Sequence, residues 1–168
     1  MILGLTIPQF TLLHVLISLV GIGTGFIVMY GLTTGRRLPR WTAGFLATTV
    51  LTSLTGFLFP LKQIGPPHIV GAISLGVLAL ALYALYGARL AGSWRWIYVA
   101  GAVLAQYLNV FVLVAQAFNK IPALNALAPT QTNEPAFAVT QLVVLVIYVV
   151  VGILGVKRFH VGGTLAFA

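Results

Sequence analysis

Residues 10–32, FTLLHVLISLVGIGTGFIVMYGL, form an unbroken apolar stretch that decides most of what the chain can become. Roughly 20 apolar residues at about 1.5 Å rise each cross the roughly 30 Å hydrocarbon layer of a bilayer, where a helix satisfies its own backbone. One imidazole sits near the start of this stretch. Counting turns from His14, residues Ser18, Gly21 and Gly25 fall on the same face, so a histidine, a hydroxyl and two glycines lie in line. Lipid gains nothing from such a face. A neighbouring helix can approach closely over the glycines and meet the polar groups, so the face is expected to turn inward.

Four more apolar runs follow, at residues 42–60, 68–86, 97–118 and 137–156. The second carries Thr48, Thr52 and Thr55, a hydroxyl stripe able to bond its own backbone or face the bundle. In the third, His68 is followed by Gly71, Ala72, Leu75, Gly76 and Ala79, expected as a close-packing face. The fourth places Gln106, Asn109 and Gln116 as an amide stripe, expected to face inward because amides in hydrocarbon need partners. The fifth begins with Thr140 and Gln141 and is rich in β-branched residues, yet a length of about 20 residues favours helix over strand. The expected fold is therefore all-α, a single transmembrane domain of five helices. Three of the connections are short, whereas 119–136 is a long outer loop rich in Pro, Asn and Thr, with a turn of helix expected near Pro122 to Leu127.

Only 6% of the 168 residues are charged, against roughly 25% in soluble domains. The formal charge of +8 would point to nucleic acid in a soluble protein, but here the cations sit in short loops between apolar runs, which excludes that reading. They act as topology signals. Arg36, Arg37, Arg40, Arg89, Arg95, Lys157 and Arg158 fall on one side of an alternating five-span chain, against Lys62 and Lys120 on the other. The positive-inside rule then puts the N-terminus outside and the C-terminus in the cytoplasm. Arg36 is the first cation, so no basic region precedes the first run, which is read as a retained span rather than a signal peptide. Zero cysteines exclude disulfides and thiolate chemistry, and the single carboxylate, Glu134, excludes paired-acid hydrolysis, a carboxylate proton relay and a calcium cage.

Alternation of the spans brings His14, Thr55, His68, Gln116 and Gln141 toward the outer half of the bundle. Two neutral imidazoles from different transmembrane helices are an arrangement that holds a b-type haem iron from both faces in a dry pocket. On that reading His14 and His68 are metal ligands, Gln116 and Gln141 line the cofactor site, with haem alone or haem beside a quinone, and the chain carries electrons. The alternative is a non-catalytic accessory or scaffold subunit whose polar stripes serve packing and whose loop 119–136 docks a protein partner. His160, beyond Lys157 and Arg158, is read as a solvated or headgroup residue.

The blocks TGFLFP (55–60), PPHIVGAISLGVLALAL (66–82), YLNVFVLVAQAF (107–118) and PALNALAPTQTNEP (122–135) resemble a group of small bacterial inner-membrane proteins of uncharacterised activity. The resemblance runs from about His14 to Arg158. It implies a bacterial membrane chain in which the outer loop is a shared feature, and it implies no activity. The two histidines on two helices also resemble, loosely, those of small haem-binding helical membrane proteins, without their usual pattern of two histidine pairs.

Overall fold

Capping chemistry sets where the first helix begins. The Thr6 hydroxyl accepts from the Gln9 backbone N–H while the Gln9 side chain accepts from the Thr6 N–H at 3.0 Å, and Pro8 suits the first turn. Helix α1, Ile7–Thr34, then runs for 28 residues until Gly35, at φ 74°, takes the left-handed conformation that ends it. This is a computed structural model, and it describes residues 1–60, 65–131 and 134–160. After α1 come α2 (Pro39–Gly56) and α3 (Pro66–Leu82), the latter continuing into a π-helical turn, Tyr83–Gly87. The chain closes with α4 (Trp94–Lys120), the single turn α5 (Pro122–Asn125) and α6 (Pro135–Arg158). Among the described residues the only strand-like feature is one bridge between Ile2 and Leu5, so the chain is all-helical.

Four helices are long and apolar enough to cross a membrane: α1, α3 with its π turn, α4 and α6. The second run behaves differently from its expected 42–60. It begins at Pro39 and ends at Gly56, short of Pro60, because Phe57 and Leu58 close it with bonds to the carbonyls of Leu54 and Thr55. With Arg40 and a run of hydroxyls in its 18 residues, α2 is not among the four. Lys62 and the rest of 61–64 lie outside the described residues. The expected turn near Pro122 is present as α5.

Without a hydrophobic driving force between helices in lipid, association depends on close packing and on interhelical hydrogen bonds. Helix α4 is the hub, packing against α1, α3 and α6, while α1 and α2 form the most extensive pair. Its buried residues include Tyr98, Val99, Ala102, Ala105 and Gln106. The inward face expected for α1 is present. A Cβ at Gly21 would stand 3.2 Å from the Thr48 hydroxyl, and one at Gly25 would overlap the Gln106 amide. Helix α6 sits at the edge, with Leu142, Val143, Val146, Val149 and Val150 exposed as an apolar outer surface. The small residues of α3 do not face inward as expected: Ala72, Gly76 and Ala79 are exposed, and Ser74, Leu78, Ala81 and Ala84 carry the packing.

Candidate functional site

The two histidines lie near the same end of the bundle but are held by separate local bonds. His14 Nδ1 is 2.8 Å from the Thr55 hydroxyl oxygen, whose own proton goes to the Leu51 carbonyl at 2.7 Å. The imidazole therefore donates from Nδ1, which leaves the Nε2 lone pair free, and its ring packs edge-on to Phe59. His68 is the opposite case. Its Nδ1 accepts the Gly65 N–H at 3.2 Å, capping the start of α3, so in the neutral ring the proton sits on Nε2. That tautomer suits a helix cap and not an iron ligand at Nε2. Its ring lies against Phe57 rather than against His14. As placed, the pair does not fit a haem held between two imidazoles.

Gln116 and Gln141 are not brought together either. Gln116 is exposed, contrary to the inward stripe expected for it, because ten residues from Gln106 at about 100° each leave it roughly 80° off that face. Gln141 is buried and donates to the Phe111 carbonyl at 3.1 Å, tying α6 to α4. Three further polar contacts are used in the same way, whereas Thr11, Ser18, Thr24, Thr48 and Thr140 bond carbonyls of their own helices. Gln106, fully buried, donates to the Ile22 carbonyl at 2.9 Å, and Asn109 donates to Thr49 at 3.2 Å. Ser53 donates to Ser74 at 3.2 Å between α2 and α3. Sequence reasoning passed over Thr49, Ser53 and Ser74. Their signal was available, since Thr49 and Ser53 are four residues apart and so share the face that α2 buries, one residue round from the Thr48 stripe. His160 is exposed, as expected.

The described part of loop 119–136 is fastened to the bundle. Asn125 donates to the Phe118 carbonyl at 3.2 Å, Gln131 to the Ala115 carbonyl at 2.8 Å, and Ala128 is fully buried, while Ile121 and Leu127 remain exposed.

The opposite end gathers the arginines. There Arg95 donates to the carbonyls of Val156 and Phe159 at 2.8 and 2.6 Å, and Arg158 donates to the Thr33 carbonyl at 3.2 Å. Cations bonded to carbonyls at helix C-termini also meet the negative end of the helix dipole, so these two bind α6 to α4 and α1. Between the ends of α1, α2, α3 and α4 lies a cavity of about 440 Å³, lined by Arg36, Arg37 and Arg89, with Thr42 and Tyr98 supplying hydroxyls. A second, smaller cavity of about 200 Å³, lined by Phe26, Met29 and Tyr148 among others, is an apolar groove. Neither cavity touches His14 or His68. Comparison of the chain with family models, curated proteins and solved structures gave no match.

Proposed function

We propose that the chain is a non-catalytic accessory or scaffold subunit of a bacterial inner-membrane complex. In this reading five helices span the bilayer, α2 included, with the N-terminus outside and the arginine-rich end at the cytoplasmic face. One observation carries it. Three amides and a pair of serines in the spans are engaged in holding helix to helix: Gln106 of α4 bonds α1, Asn109 of α4 bonds α2, Gln141 of α6 bonds α4, and Ser53 of α2 bonds Ser74 of α3. Inside a membrane such bonds contribute about 0.6 kcal/mol each, up to roughly 1.7, and they fix the register of the bundle. The partner would meet the outer loop, where Ile121 and Leu127 are exposed above a fastened base.

The absorption spectrum tests this reading against the electron-transfer one. Protein purified in detergent from haem-replete cells is expected to show no Soret band. A band that is lost on His14→Ala or His68→Ala, and kept on His160→Ala, would sink the scaffold reading and restore the pair of axial ligands.

A further inference from the structure

The cavity at the arginine-rich end holds charge that no described residue neutralises. Glu134 is the only carboxylate side chain, and it stands before the first residue of the 24-residue α6, about 36 Å from the end where α6 meets Arg95. Arg95 and Arg158 are already bonded to carbonyls. The guanidinium groups of Arg36, Arg37 and Arg89 make no hydrogen bond or ion pair among the described residues, although all three line the cavity. Its volume of about 440 Å³ falls within the range of small-molecule sites, about 300–1,000 Å³, and it opens to the surface, where Arg36 and Arg89 are exposed.

The backbone beside it is unusual in a way that concerns Arg89. Helix α3 widens into the π turn, and the chain then places Arg89 at φ 50° and Leu90 at φ 61°, two consecutive side-chain-bearing residues in the left-handed region. Neither residue type favours that conformation, and such positions persist only where the surroundings hold them. Here Leu90 is buried at 1% exposure and its N–H bonds the Ala84 carbonyl at 2.9 Å, so the turn is pinned with Arg89 at the cavity. Glycine or asparagine would make the same turn with less strain and would remove the cation.

We propose that this cavity binds the phosphate group of a membrane amphiphile. Three guanidinium forks call for an oxyanion with more acceptor oxygens than a carboxylate has, because their roughly six N–H donors exceed the roughly four lone-pair sites of a carboxylate. The rest of the wall includes Leu32, Leu85 and Phe159, apolar side chains that suit the first part of an acyl chain and give a soluble anion nothing to hold. Phe159 is kept in that wall by the bond from Arg95 to its carbonyl.

The test uses the full chain in a neutral detergent, with phosphatidic acid, phosphatidylcholine and inorganic phosphate as probes and native mass spectrometry as the readout. Phosphatidic acid should be retained in preference to phosphatidylcholine. Replacing Arg37 and Arg89 together by Gln should lower that retention by at least about tenfold, the loss expected for two charge-assisted contacts. The pair Arg40→Gln and Lys157→Gln removes the same charge outside the cavity lining and should leave retention within about twofold. Leu85→Trp keeps every arginine and fills the space, so it too should abolish retention. Circular dichroism checks that each variant is folded, and single Arg89→Gln replaces the double variant if that one is not. Equal losses in the two charge-matched pairs would mean diffuse surface attraction and would overturn the site. Retention of inorganic phosphate as firmly as phosphatidic acid would keep the phosphate contact and overturn the amphiphile. An unaffected Leu85→Trp would show that the cavity is not where binding occurs.

Discussion

The two ends of this bundle are held together by different chemistry. At the histidine end the contacts are neutral: an imidazole on a hydroxyl, an imidazole on a backbone N–H, and aromatic rings packed around both. At the arginine end, charged groups bond the carbonyls of helix termini, and three further cations line a cavity without a counter-ion among the described residues. Neutral bonds hold helices in register and carry no net charge to be balanced. Exposed cations that no described residue pairs with attract an anion, and so the two ends differ in what they offer to their surroundings.

The contrast predicts an order of effects on thermal unfolding in detergent. Arg95→Ala should cost most, roughly 2–4 kcal/mol, because two carbonyls at the end of α6 lose a charged donor. Next comes the middle of the bundle, where Gly25→Ala must displace the buried Gln106 amide from its bond to Ile22, at about 1–3 kcal/mol. The neighbouring Gly23→Ala meets open space and should be neutral or slightly stabilising. At the histidine end, His14→Ala should cost about 1 kcal/mol, and a double-mutant cycle with Thr55→Val should recover a coupling of roughly 0.6–1.7 kcal/mol. His68→Ala removes only a helix cap and should cost least, about 0.5–1 kcal/mol. A larger loss from either histidine than from Arg95 would break the comparison and would mean that the histidine end does more than hold helices.

Parts of this were legible in the chain, and particular residues explain which. The apolar face of α1 was readable because Gly21 and Gly25 repeat at helical spacing and only a neighbouring helix profits from them. Thr48 and Gln106 occupy those positions. For α3 the same reasoning chose the wrong side, since both faces are apolar and periodicity alone does not say whether Ala72 and Gly76 or Ser74 and Leu78 are buried in the bundle. The stripe on α4 failed at Gln116 because a ten-residue step drifts off the face on which Gln106 lies. His68 could be read as a ligand because sequence does not reveal what its ring nitrogens meet; in the fold Nδ1 accepts the Gly65 N–H. The cavity was the least legible feature. Arg36, Arg37 and Arg89 read as topology signals, and nothing in ARL announces two consecutive left-handed residues that bring them together.

The central claim is that the arginine end faces the cytoplasm while the histidine end and its loop face outward, and single-cysteine labelling tests it most directly in a chain that has no cysteine of its own. The folded geometry selects the positions. Gly35 is unsuitable, being left-handed with the Arg158 carbonyl 2.9 Å from where a Cβ would sit, whereas Ala91 at the arginine end and Ala126 in the outer loop are both exposed. In intact cells an impermeant maleimide is predicted to label Ala126→Cys and to leave Ala91→Cys unlabelled until the membrane is opened. Labelling of Ala91→Cys in intact cells, with Ala126→Cys protected, would contradict the account.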